Sequence, residues 1–107
     1  MIDIPFIGSC IATANATARI DFEDEAGEPV VPDSVSYAVI DLLSGTTLVS
    51  STSVTATNTY VNISLPITAT TMHDATRLTE IHEIKVTFTF HGTKTNYYIG
   101  QFEVVNK

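Results

Sequence analysis

The residues that first suggest chemistry are His82 and Glu83, with His91 downstream, in 80-EIHEIKVTFTFHG-92. A His-Glu pair opens the zinc-hydrolase motif, which needs a second histidine four residues after the first so that both imidazoles share one face of a helix. Here that position is Val86. The segment also has the wrong period. Ile84, Val86, Phe88 and Phe90 alternate with Glu83, Lys85, Thr87 and Thr89, which is the two-residue repeat of a strand with one buried and one wet face. The β-branched and aromatic residues suit a pleated surface. His82 and His91 fall on opposite parities, about 30 Å apart on an extended chain at roughly 3.3 Å per residue. They cannot share a metal within this strand, and both are expected at the surface or a sheet edge.

The other chemistry-bearing groups read in the same way. Asp21, Glu23, Asp24, Glu25 and Glu28 supply the oxygens that calcium takes. Their spacing lacks the Asp-x-Asp-x-Asp-Gly order of a dedicated loop, so a solvated acidic turn is expected. His73-Asp74 beside many serines makes a triad only on paper, because no Gly-x-Ser-x-Gly elbow is present. Cys10 reads as a small buried hydrophobe, and a single cysteine allows no intrachain disulfide. No catalytic, cofactor-binding or metal-ligating residue is therefore assigned. Among the tyrosines, Tyr37 and Tyr98 have inward parity and are expected in the core. Tyr60 and Tyr97 point outward and are candidates for contact with a partner. A sugar platform generally uses tryptophan, and the chain has none.

The elements that must position these groups are strands. Ala14, Ala16, Ala18, Ile20 and Phe22 share one parity in a long first strand whose small inward residues imply close packing. Glu25-Ala26-Gly27 makes a turn, and Pro29 and Pro32 keep the following connection out of any central ladder. Val35, Tyr37 and Val39 form the inward face of the next strand, and Ser44-Gly45 turns the chain. Thr46 to Thr52 is a Ser/Thr-rich strand expected at an edge. Val61, Ile63 and Leu65 face inward in a strand that Pro66 ends. The irregular stretch 70–80 is expected to hold a helical turn around Asp74 to Leu78. Ile84 to Phe90 is a strong strand, Gly92 to Asn96 a turn, and Tyr98, Phe102 and Val104 face inward on the last strand. Gly100, also inward, suggests a bulge or a close approach. Six or seven short strands without a long helix indicate an all-β sandwich.

Bulk properties bound the rest. With 107 residues, 44% of them hydrophobic, and a mean hydropathy of +0.20, the chain builds one domain around one core. Charged residues make up only 16%, against about 25% in a typical soluble protein, and Ser and Thr fill the gap. Such a surface suits burial in protein contacts. The net charge is −7 with only five Lys or Arg, too few for a phosphate-tracking patch or an anionic membrane surface. The N-terminus lacks the basic region of a signal peptide, and no segment approaches the roughly 18 apolar residues of a membrane helix. Synthesis in a cytoplasm is expected. Residues 1–10 carry Ile2, Ile4, Phe6 and Ile7. They are read as an N-terminal arm that either adds an edge strand or docks on a neighbour by strand addition. Residues 11–107 form the sandwich.

Two strings carry a resemblance. In 22-FEDEAGEPVVPDSVSYAVIDLLSG-45, an acidic turn with Gly is followed by Pro32, Ser34, Val35, Tyr37, Val39 or Ile40, Asp41 and Gly45. This resembles the opening of a small immunoglobulin-like module of tailed-phage virion proteins. The string 77-RLTEIHEIKVTFTFHGTKTNYYIGQFEVVN-106 is similar to phage structural chains with an Arg…Glu strand, a Gly-Lys turn and a closing Val-x-Asn. Together the two cover about half the chain. The resemblance implies an immunoglobulin-like β-sandwich of about seven strands and a non-enzymatic structural role in a virion. The expected partners are other virion proteins, with self-association in the assembled particle allowed. Capsid decoration against the major capsid protein is the first expectation, with a head–tail connector (neck) or tail accessory subunit as alternatives. A host-surface glycan-binding module is the rival from another class. Ile2, Ile4, Phe6, Ile7, Tyr60 and Tyr97 are the expected interface.

Overall fold

A computed structural model describes residues 6–12 and 16–106, with backbone only for 6–11. Its elements in chain order are β1 (Phe6–Ile11), β2 (Ala16–Asp21), β3 (Ser34–Asp41), β4 (Thr47–Val54), β5 (Tyr60–Leu65), the short helix α1 (Ile67–Thr70), β6 (Thr79–Phe90) and β7 (Lys94–Val105). Five strands form one sheet in the order β1-β7-β6-β3-β4, and β2 pairs with β5 in a second. The two pack face to face as an all-β sandwich. No helix among the described residues is long and apolar enough to cross a membrane.

The alternating pattern decides which face is buried. Ala18, Ile20, Ile63 and Leu65 from the small sheet meet Val35, Tyr37, Val39, Ile84, Val86, Phe88, Phe102 and Val104 from the large one. Phe22, just past β2, closes the gap between the sheets, with its ring 5.0 Å from Phe88 in an edge-on contact. Burial of these apolar faces is the main stabilising term. The edge position expected for the Ser/Thr-rich strand is observed for β4, the outer strand of the large sheet.

Five expectations need correction or refinement. The helix falls at Ile67–Thr70, while around Asp74 the chain makes only a single hydrogen-bonded turn, the Arg77 amide donating to the Asp74 carbonyl at 3.1 Å. The helix begins directly after Pro66, whose fixed φ suits a helix start. At Asp74 the side chain instead accepts the amide and hydroxyl of Thr76 at 3.0 and 2.6 Å, a local bond that competes with helix. Gly100 is not at a bulge, since β6 and β7 stay in register from Thr79↔Val105 to Phe90↔Lys94. Tyr98 is half-buried at the margin of the core rather than inside it. The fourth correction concerns His82, expected at the surface and found fully buried. The strand β6 begins at Thr79, so the inward parity of Ile84 runs back through His82 to Glu80.

Last, Phe6–Ile11 pairs parallel with β7, Phe6 opposite Gln101 and Ile11 opposite Val105. This part of the expected arm is an edge strand of the chain's own sheet. Ile2 and Ile4 lie outside the described residues, as do Ala14 and the rest of 13–15.

Candidate functional site

The polar residues that the fold concentrates lie at one end of the sandwich. Asp41 ends β3 and stands opposite His82 of β6 in the ladder. Glu80 is two residues from His82 on the same inward face. The chain from α1 to β6 is bonded to this end through the Ala69 carbonyl and the amides of His73 and Asp74.

Each group is held from several sides. Glu80 Oε1 accepts the His73 amide at 2.7 Å and lies 2.8 Å from His82 Nε2. Glu80 Oε2 accepts the Asp74 amide at 2.7 Å. The other nitrogen of His82, Nδ1, donates to the Ala69 carbonyl at 2.7 Å, and the ring stands edge-on to Phe102. Asp41 Oδ2 accepts the Ser44 hydroxyl at 2.6 Å and its amide at 3.3 Å. Arg77 Nη1 lies 3.5 Å from Asp41 Oδ2 and 3.4 Å from Glu80 Oε2. Asn106 Nδ2 donates to the carbonyls of Ala75 and Arg77 at 2.9 and 3.1 Å, tying the same loop to the end of the chain.

The electrostatics follow from these bonds. Burial pushes the carboxyl of Glu80 up. The bonds from His82 and from the amides of Asp74 and His73 outweigh it and hold the group below its ordinary range, against a smaller upward push from Asp41. Asp41 is likewise pushed up by burial and brought below its usual value by the Ser44 hydroxyl and amide, then by Arg77 and His73. Two buried carboxylates are thus kept ionised, with one guanidinium between them.

Among the described residues, Asp41, Glu80 and His82 are the Asp/Glu/His group whose potential ligand atoms converge, all within 4.8 Å of one another. The surroundings favour a structural role over a metal centre. All lone-pair positions of Glu80 face a partner, both nitrogens of His82 face acceptors, and Arg77 already supplies the positive charge. A cation would have to displace the guanidinium. Asp41 Oδ1 is the one buried side-chain oxygen without a hydrogen-bond donor among the described residues. The cluster fastens the 66–78 segment to the sheet.

Several large apolar side chains stay exposed at this end. The large hydrophobic side chains that stay exposed include Leu42 and Leu43 in the β3–β4 turn, Ile67 at the start of α1 and Leu78 just before β6. The Leu42 amide donates to the Ile81 carbonyl at 3.0 Å, and the Asn106 amide to the Leu78 carbonyl at 2.9 Å. These bonds place Leu42, Leu43 and Leu78 at the end that holds Asp41 and Arg77, and the Ala69 carbonyl facing His82 brings α1, with Ile67, to the same end.

The outward tyrosines do not join this site or each other. Tyr60 belongs to the small sheet, where the Arg19 guanidinium covers its ring at 4.2 Å. Tyr97 is on the large sheet, 44% exposed, with Lys85 Nζ 4.8 Å over its ring. The acidic turn is at the opposite end. Asp24 Oδ1 accepts the amides of Ala26 and Glu28, and the Glu28 bond is the first cause of its lowered pKa. Glu25 pairs with Lys94 at 3.6 Å, and Asp21 with Arg19 at 3.2 Å. These acids are spent on the turn and on neighbouring cations.

Sequence reasoning passed over Arg77, Glu80 and Asp41 as a site. A signal was available, because Glu80 and His82 share the inward parity of Ile84, and a charged residue at an inward position needs a partner. No family model, curated protein or solved structure matches this chain.

Proposed function

We propose that this chain is a non-enzymatic structural subunit of a tailed-phage virion, built as an immunoglobulin-like sandwich and acting through protein contacts. The carrying observation is the apolar end, where Leu42, Leu43, Ile67 and Leu78 stay exposed on turns fixed by buried ion pairs and hydrogen bonds. Exposed apolar side chains collected on a rigid support are the mark of a protein interface. A preordered surface also loses little conformational entropy on docking. Capsid decoration is the preferred position, since one small domain with an apolar end can bridge capsid subunits. Two further features support the reading. The strand order sets β2 and β5 against a sheet containing β3, β6 and β7, an arrangement that fits the immunoglobulin-like reading. The most polar buried residues, Asp41, Glu80 and His82, are consumed in holding a turn and a loop.

A neck or tail subunit is the alternative, and copy number separates it from decoration. Quantitative mass spectrometry of purified particles, scaled to the major capsid protein, is the test. A shell-scale copy number supports decoration, and a single ring's worth places the chain at the neck or tail. Absence from particles overturns the virion reading. The glycan-binding alternative draws no support from Tyr60 and Tyr97, which lie on different sheets.

A further inference from the structure

The small sheet sets two strands against five. β5 pairs with β2 along its whole length without a register shift, from Ala16↔Leu65 to Asp21↔Tyr60. Just past this ladder the Phe22 amide donates to the Thr59 carbonyl at 2.8 Å. Hydrogen-bonded and non-hydrogen-bonded positions alternate along an antiparallel pair. Val61, Ile63 and Leu65 therefore turn their amides and carbonyls toward β2. Those of Tyr60, Asn62 and Ser64 point the other way, to an edge where no described strand pairs.

The other outer strands are guarded. β4 is interrupted by register shifts against β3, and the Thr52 hydroxyl donates to its own Ser50 carbonyl at 2.8 Å. β1 has a register shift against β7, and β2 carries the exposed Arg19–Asp21 pair. Bulges and charges are the devices that keep an edge from pairing with another chain. β5 has neither, and no residue from 42 to 72 is charged.

What lies beside this edge defines the occupant. The contact of Phe22 with Phe88 sets β2 over β6. α1 packs on both β5 and β4, so β5 lies toward β3, and β4 projects past it. The inward residues of β3 and β6 are buried, whereas Thr52 and Val54 of β4, opposite Tyr37 and Val35, are exposed and half-buried. The uncovered step is one strand wide. The β5 of a second copy, related by a twofold axis, would bring its own projecting β4 into the same space. We infer that the β5 edge takes an extended, uncharged segment of a partner protein as a third strand of the small sheet. Main-chain bonds to Tyr60, Asn62 and Ser64 hold it, and apolar residues at alternate positions cover Val54 and Val61. A charge at one of those inward positions would be buried without a counterion. The contact uses residues separate from the apolar end and stands without the virion reading.

The test is amide hydrogen exchange of the full chain, read by NMR, with and without a synthetic peptide at about 1 mM. The peptide alternates Thr and Val and carries a lysine at each end for solubility. In the free chain the amides of Val61, Ile63 and Leu65 are expected to exchange slowly and those of Tyr60, Asn62 and Ser64 fast. The peptide is expected to slow the second set about tenfold, the effect of a ligand at ten times its Kd. The same peptide with Pro for its central Val is expected to do nothing. Asn62→Pro removes an amide that faces the free edge and spares the β2 ladder. This variant is expected to keep its circular dichroism spectrum and lose the peptide effect. Ser64→Lys serves if the proline perturbs folding. No slowing by the peptide, or slowing that persists in the folded variant, overturns the inference. Slowing that grows with chain concentration in the absence of peptide makes a second copy the occupant and overturns it as well.

Discussion

Glu80 Oε1 lies 2.8 Å from His82 Nε2, and neither side chain is exposed. His82 Nδ1 faces the Ala69 carbonyl, so both ring nitrogens address acceptors. The same carboxylate takes two backbone amides. Glu80→Gln replaces one of its oxygens with a donor, which then faces another N–H. The expected loss is about 3 kcal/mol, the scale for breaking a buried charged pair, measured by urea unfolding. The amides of His73 and Asp74 are expected to lose hydrogen-exchange protection first. A loss confined to a few tenths of a kcal/mol, with protection intact, contradicts the fastening role.

Acid should loosen this fold. Asp24, Asp41, Asp74 and Glu80 all have lowered carboxyl pKa values in the folded chain. In the acid range the unfolded chain then binds more protons than the folded one. Their stabilisation is complete above the ordinary carboxylate range and is lost as pH falls through it toward the lowered values. Thermal melts are expected to be flat near neutrality and to fall below about pH 5. The decline should be shallower in Asp41→Asn. A melting temperature that rises on acidification would show that the carboxylates have been misread.

The β6–β7 turn stores strain in one residue. His91 has φ of 51° and Gly92 φ of 77°, so two successive residues are left-handed. Glycine adopts this at no steric penalty, whereas a side-chain residue is destabilised by about 1 kcal/mol. His91→Gly is expected to stabilise the protein by up to that amount, less whatever its 3.8 Å contact with Asp24 contributes. Gly92→Ala should destabilise by about 1 kcal/mol. A Cβ there meets nothing within 4 Å, so the effect isolates the backbone term. Equilibrium denaturation of both variants decides the matter.

Removing residues 1–11 takes away β1 and leaves β7 as a bare edge. Loss of this parallel ladder is expected to lower stability by about 2 kcal/mol, given roughly 1 kcal/mol net per hydrogen bond. It should also raise the tendency to aggregate, because an uncovered strand is a template for pairing. Thermal melts and light scattering report the two effects. A truncated chain that melts at the native temperature would mean β1 adds nothing to the sheet.

The sequence by itself determined the strands and their inward faces. Alternation in Ile84–Phe90, Val35–Val39 and Val61–Leu65 fixes which side chains meet, because a one-residue slip would turn every apolar group to water. It did not mark where β6 begins, and so it left His82 at the surface. Tertiary structure decided that point. Only the fold brings the Ala69 carbonyl, the amides of His73 and Asp74, Ser44 and Arg77 around two inward carboxylates and a histidine. These groups come from two stretches of chain, 41–44 and 69–82, that are far apart in sequence. Their burial is tolerable only once all are in place, since an isolated buried charge is strongly unfavourable. The apolar end is hidden in the sequence for the same reason. Leu43, Ile67 and Leu78 look like ordinary loop residues until the strand order gathers their turns at one end of the sandwich.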